Sequence, residues 1–246
     1  MDQQTYRKDR INSITRALWQ APVAAVLTTA LVLSVAVSAA LAASRPAATA
    51  MLVQGGTVTT ANVRQTETEA GNVVADAVRS AAGADIGIVP AAAFKPNASS
   101  PKPGTSEQIA GLLEPATDQV VILNLRGAQV LAALERSVSF SPQPSAGFLQ
   151  VSGIRFTYDS RRDSGKRVIS ATLEGKALEA AKIYKVATTR PLANGQQGYF
   201  QIWDRDQIAQ ASGEPKTLAT ALTELARTRG GTLSPAIDGR IAVVDK

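Results

Sequence analysis

A single α+β domain of mixed helices and sheet, preceded by one N-terminal hydrophobic helix, is the organisation this sequence predicts. Three observations carry it. Runs with apolar residues at helical spacing mix with β-rich runs, without the regular βαβ order of a doubly wound sheet. In the middle of the chain, Val151, Ile154, Phe156 and Tyr158 are β-formers; a polar turn and a second alternating run follow, which reads as a hairpin. After the apolar segment about 200 residues remain, enough for one domain with its own core.

Taken in order, residues 1–20 form a short basic leader carrying Arg7, Lys8, Arg10 and Arg16. Residues 21–43 hold no charge and are almost wholly Ala, Val and Leu. As a helix they span about 35 Å, enough to cross a bilayer core. The positive residues come first, so the leader stays cytoplasmic and the domain lies on the extracytoplasmic side. Two readings of this segment stand together. Ala40-Leu41-Ala42 supplies the small residues of a signal-peptide cleavage site, whereas the long apolar run and the leader suit a transmembrane anchor. Both export the domain, membrane-anchored or secreted. Residues 44–60 read as a linker, and 61–246 as the folded domain.

Within the domain, Glu69 to Ala82 is an amphipathic helix with Val73, Val74, Ala77 and Val78 on its apolar side. Thr66 or Thr68 caps it and Gly83 ends it. Asp85–Val89 is a short buried strand, 90–104 a Pro/Ser/Ala-rich loop and Ser106–Leu113 a helix. Gln119–Leu125, nearly continuous in Val, Ile and Leu, is a strand. Gly127–Val138 is a helix with Val130, Leu131, Leu134 and Val138 on one face. A Pro-containing loop, 139–146, enters the central hairpin, whose turn is 160–166 and whose return arm is Arg167–Leu173. Ile183–Thr188 is a strand, and Thr217–Arg229 a helix with Leu218, Leu222 and Leu225 inward, stopped by Gly230-Gly231. Ile241–Val244 closes the chain as a strand. No internal repeat occurs.

Composition removes several chemistries. There is no cysteine, hence no disulfide framework, no thiolate zinc site and no lipid-modified cysteine. There is no histidine either. A dinuclear metallophosphatase site needs imidazole beside carboxylates, and Ser-His-Asp or Cys-His nucleophile systems need an imidazole base. The expectation is therefore no catalytic residues, no metal and no cofactor. The charge of +6 is scattered and aromatics are few, which argues against nucleic-acid binding.

Five ordered segments carry a resemblance. Gly147-Phe-Leu-Gln-Val-Ser-Gly-Ile-Arg-Phe-Thr-Tyr-Asp159 resembles the C-terminal domain of the 5′-nucleotidase (UDP-sugar hydrolase) family. Glu67-Thr-Glu-Ala-Gly71-Asn72-Val-Val-Ala-Asp76-Ala77 is similar to that family's opening helix, and Ala84-Asp-Ile-Gly-Ile-Val89 to its next strand. Leu125-Arg-Gly127-Ala-Gln-Val-Leu131-Ala-Ala-Leu134-Glu135 is similar to a further helix. Tyr184-Lys-Val-Ala-Thr188 and Leu192-Ala-Asn-Gly-Gln-Gln-Gly198-Tyr199 resemble the closing strand and aromatic loop.

The resemblance implies a division of labour. In full-length members a separate N-terminal metallophosphatase domain does the chemistry, and the C-terminal domain clamps the nucleoside part of the substrate. Phe148 and Tyr199 match the aromatic pair that stacks on the base, although both also suit plain packing roles. Lys95 stands where the family has an arginine, and Gln197 where it has a carboxylate. The family's N-G-G-G loop is here Pro90-Ala91-Ala92-Ala93, which cannot take positive φ cheaply and lacks one backbone N–H. Its P-F-x-N segment reads Pro115-Ala116-Thr117-Asp118. The expectation is an exported binding or accessory module for a nucleoside or nucleotide, working with a separate metallophosphatase subunit. The alternatives are a nucleotide hydrolase as the family label implies, and an envelope interaction domain with a decayed ligand site. Glu67 with Asp76, and the basic turn Arg161, Arg162, Lys166 and Arg167, read as capping and solvated features.

Overall fold

The computed structural model describes residues 56–209 and 214–244. The expected apolar helix at 21–43, the leader and most of the linker lie outside the described residues. No helix among the described residues is long and apolar enough to cross a membrane.

The chain runs β1 (Gly56–Thr59), α1 (Glu69–Ala82), β2 (Ile86–Pro90), β3 (Ser99–Lys102), α2 (Ser106–Ala110), β4 (Val120–Arg126) and α3 (Gly127–Ser137). It continues through β5 (Leu149–Ser152), β6 (Ile154–Tyr158), β7 (Val168–Leu173), β8 (Lys176–Ala177), β9 (Ile183–Thr189), α4 (Arg190–Ala193), α5 (Leu218–Thr228) and β10 (Ile241–Val243). One four-stranded sheet has the order β4-β9-β2-β5, a second the order β10-β6-β7-β8, and β1 pairs with β3 alone. Each larger sheet contains one parallel pair, β2 with β9 and β10 with β6; the other pairings are antiparallel. This mixed helix-and-sheet architecture agrees with the expected class.

α1 forms because its local signals agree. Thr68 accepts a hydrogen bond from the Gly71 N–H as N-cap, and Gly83 closes the helix at φ 57°. Its buried face, including Val73, Val74, Ala77 and Val78, lies on β2 and β5, while α5 packs against it as well. α5 buries Leu218, Leu222 and Leu225 as the spacing predicts and is capped by Thr217. α2 is shorter than expected. After its Thr105/Gln108 capping box it stops at Ala110, and Leu112 and Leu113 turn directly into the core.

The central hairpin differs more. The stretch read as one β arm is two strands in two sheets. β5 pairs with β2, whereas β6 pairs with β7. Gly153 makes the switch at φ 79°, and a Cβ there would stand 2.3 Å from the Asp85 carbonyl oxygen. β1, within the stretch expected as linker, and β3, within the expected loop, form the small sheet; β8 and α4 are further short elements that periodicity did not mark.

Candidate functional site

The loop after β2 is the natural starting point. The backbone N–H groups of Ala91 and Ala92 donate to the carbonyls of Phe148 and Ala146, both at 2.8 Å. They hold the 146–148 segment and offer nothing to a ligand. Lys95 leaves this loop in another direction: its Nζ donates to the Gly111 carbonyl at 3.0 Å.

The second wall is the 114–118 turn, tied to the first through the Glu114 N–H and the Ala93 carbonyl. Asp118 sits where this turn enters β4, and burial raises its carboxyl above the ordinary carboxylate range. The third wall is the loop between α4 and Tyr199. Gln197 adopts φ 60° and Gly198 φ 83°, so the chain turns tightly here. The tight turn lets the Arg136 guanidinium approach. A Cβ on Gly198 would lie 2.8 Å from its Nε, and Nη2 donates to the Gln197 carbonyl at 2.5 Å. Arg136 also lies 5.3 Å from the Phe140 ring and 5.9 Å from the Tyr199 ring, within cation–π range.

These three segments enclose a cleft of about 230 Å³. Its polar lining is Glu114, Asp118, Thr189, Gln196 and Gln197, with Pro90, Ala92 and Ala93 on the apolar side. No cation lines it among the described residues. Carboxylates and amides accept hydrogen bonds from hydroxyls, and amides also donate, so the cleft suits a neutral polyhydroxyl group. A phosphate would meet two carboxylates and no guanidinium.

Of the four residues singled out from the sequence, only Gln197 lines this cleft. Lys95 does not. Phe148 and Tyr199 are 2% and 0% exposed, so neither ring presents a face to solvent. The Tyr199 ring stacks on Trp203, with centroids 5.1 Å apart, and its hydroxyl donates to the Gly147 carbonyl at 2.8 Å. Burial pushes the phenol well above its usual value, which keeps it a donor. The pair packs as core because both rings are covered, that of Tyr199 by Trp203 and the Arg136 guanidinium, and the one phenol finds a carbonyl. Neither lines the cleft; Tyr199 is bonded through its hydroxyl to Gly147, where an added Cβ would lie 3.3 Å from Gln197 Cβ.

Glu114, Asp118 and Gln196 were not among the expected site residues. The departure at 115–118 was the signal for Asp118, since a carboxylate there replaces a neutral amide. Gln196 stood within the recognised 192–199 loop without being singled out, and nothing local marked Glu114.

The other charged motifs have structural tasks. Glu67 accepts hydrogen bonds from Asn72 Nδ2, the Asp238 N–H and the Ile241 N–H, which straps the segment before β10 onto α1. Asp76 takes Arg240 Nη1 and Ser152 Oγ, both at 2.6 Å. In the turn after β6, Arg161 pairs with Asp159, and Arg167 donates to the carbonyls of Arg162, Val138 and Ser141.

Comparison with known proteins agrees with this architecture. A family model described as 5′-nucleotidase, C-terminal domain, matches residues 46–205. Snake venom 5′-nucleotidase of Naja atra is 33% identical over 128 residues, covering 49% of this chain and 23% of that protein. Human 5′-nucleotidase is 28% identical over 145 residues, covering 56% and 24% respectively. The crystal structure of a 5′-nucleotidase precursor from Thermus thermophilus superposes with a TM-score of 0.64 at 26% identity, covering 77% of this chain and 38% of its own. The chain thus spans about a quarter of the length of these curated relatives.

Proposed function

As this chain belongs to the 5′-nucleotidase C-terminal domain family, we propose that it is an exported binding module for a nucleoside-like ligand, tethered to the membrane or secreted. It works beside a separate metallophosphatase subunit and does not hydrolyse nucleotides alone. The observation that carries this reading is the cleft between the 90–93, 114–118 and 196–197 segments, lined by carboxylates and amides and by no cation among the described residues. The ribose hydroxyls of a nucleoside bond to Glu114, Asp118 and Gln197. Phe148 and Tyr199 support the loop that carries Gln197, and any stacking of a base on their rings needs that loop to open first. The lack of histidine in the chain supports the need for a partner to supply catalysis.

Calorimetric titration of the full 246-residue chain with adenosine, AMP and UDP-glucose tests the reading. Adenosine is expected to bind at least about ten-fold more tightly than AMP, a difference of about 1.4 kcal/mol. Replacing Asp118 with Asn is expected to narrow that gap. So is lowering the pH: the raised carboxyl of Asp118 takes up its proton before an ordinary carboxylate does, and the repulsion then falls. AMP binding more tightly than adenosine would refute the proposal. No heat with any of the three ligands would favour the alternative of an envelope interaction domain.

A further inference from the structure

Where the central stretch crosses from one sheet to the other, a cleft of about 400 Å³ opens around Gly153. It shares no lining residue with the cleft described above. Seven charged residues line it, on α1, the turn before β2, the start of β6, the β7–β8 turn and the segment before β10. Four of them are mutually satisfied. Arg240 is held by Asp76 and Asp238, and Arg155 by Asp238.

The remaining three are Arg79, Asp85 and Glu174. Arg79 donates its Nε to Ser152 Oγ at 2.8 Å, and its two terminal nitrogens meet no acceptor among the described residues. The Asp85 carboxylate accepts one bond, from the Lys185 N–H, and the Glu174 carboxylate has no polar partner among the described residues. Neither forms an ion pair with Arg79 among the described residues, although all three residues line one cleft. The Gly153 position explains the juxtaposition. The absent Cβ would lie 2.3 Å from the Asp85 carbonyl oxygen and 2.9 Å from Arg79 Cδ, and the strand partner of Ile154, Leu173, immediately precedes Glu174.

One uncommitted cation and two uncommitted anions around a cleft of ligand size call for the opposite set of charges on the occupant. We propose that this cleft binds a free dibasic α-amino acid such as lysine. Its carboxylate lies on the fork of Arg79, and its two ammonium groups lie on Asp85 and Glu174. A simple anion meets two carboxylates here, a diamine leaves Arg79 without a partner, and a neutral amino acid leaves one carboxylate unpaired. The proposal goes beyond the nucleoside site and does not depend on it.

The test is calorimetry of the full chain in mild detergent with L-lysine, L-leucine and cadaverine. Lysine is expected to bind in the millimolar range or tighter, with leucine and cadaverine at least several-fold weaker. Glu174→Gln, on an exposed turn, is expected to weaken lysine about three- to five-fold, with leucine and adenosine unchanged. Arg79→Gln is expected to remove the preference for lysine over cadaverine, with the far-UV spectrum as the check on folding. Three results would overturn the proposal: no heat with lysine, equal affinity for lysine and cadaverine, or undiminished lysine binding by the Glu174→Gln chain. Because adenosine occupies the other cleft, its titration with the same protein separates failure here from failure of the nucleoside site.

Discussion

Asp76 concentrates four donor atoms from three residues on one carboxylate: Arg240 Nη1 at 2.6 Å and Nη2 at 3.2 Å, Ser152 Oγ at 2.6 Å and Arg229 Nη2 at 3.2 Å. Burial alone would raise its carboxyl. The hydrogen bonds from Arg240 and Ser152, the charge of Arg240 and the bond from Arg229 outweigh burial, so the group titrates below the ordinary carboxylate range. A carboxylate lowered on folding contributes stability above its unfolded pKa and loses that contribution as pH falls through the folded one. Replacing Asp76 with Asn is therefore expected to lower stability at pH 7 by about 1–3 kcal/mol, since Arg240 is left half-paired. Below about pH 4 the gap between parent and variant should close. Urea unfolding of both chains across that range is the measurement, and a gap that stays constant down to about pH 2 would mean that ionised Asp76 is not the group that matters. Glu67 acts on the same strap with backbone N–H donors, so the two carboxylates of the opening-helix motif hold the segment before β10 against α1.

Among the elements, the β5–β6 crossing is the most exacting. β5 is buried along its whole length, while β6 alternates buried and exposed positions, as a strand half in the core should. The break between these patterns falls on Gly153. Gly153→Ala meets two penalties, a left-handed backbone for an L residue and a Cβ 2.3 Å from a fixed carbonyl oxygen. The expected loss is at least about 2 kcal/mol, read as a drop in the thermal midpoint. A Gly165→Ala control has positive φ but open space around its Cβ, and is expected to lose clearly less. Equal losses would mean that the close approach at Asp85 contributes nothing. The 195–198 loop is a second exacting element, because Arg136 from α3 anchors it through one carbonyl and thereby sets where Gln197 faces.

At the scale of the described residues, the two four-stranded sheets and three longer helices contribute to one continuous core, and the two clefts described above have no lining residue in common. The chain carries no histidine anywhere, so it brings no imidazole to a dinuclear metal site. The purified full chain is expected to release no phosphate from AMP with magnesium, manganese or zinc. Metal-dependent release that disappears on mutation of Glu114 and Asp118 would show that it is an enzyme in its own right. Fractionation of cells into membrane and soluble parts, with and without residues 21–43, tests the proposed tether.

Local signals made the helices and several strands legible. Spacing of Val73, Val74, Ala77 and Val78, a threonine cap and a closing glycine are all properties of neighbouring residues, so α1 could be read with its ends correct. α5 was legible in the same way, β4 was found one residue later than expected at each end, and the ordered motifs carried the family. The site was legible only in part. Its pieces were recognised at 90–95, 115–118 and 195–199, but they lie far apart in the chain, and their meeting depends on how β2, β4 and β9 stand side by side in one sheet. Tyr199 follows a glycine-flanked turn that reads as exposed, yet Trp203 covers its ring and the Gly147 carbonyl takes its hydroxyl. Lys95 keeps its charge but is drawn to the Gly111 carbonyl. Periodicity and caps act within a few residues and survive in the sequence, whereas burial of a ring or the aim of a charge depends on partners supplied from distant segments. Those partners exist only once the sheets have formed.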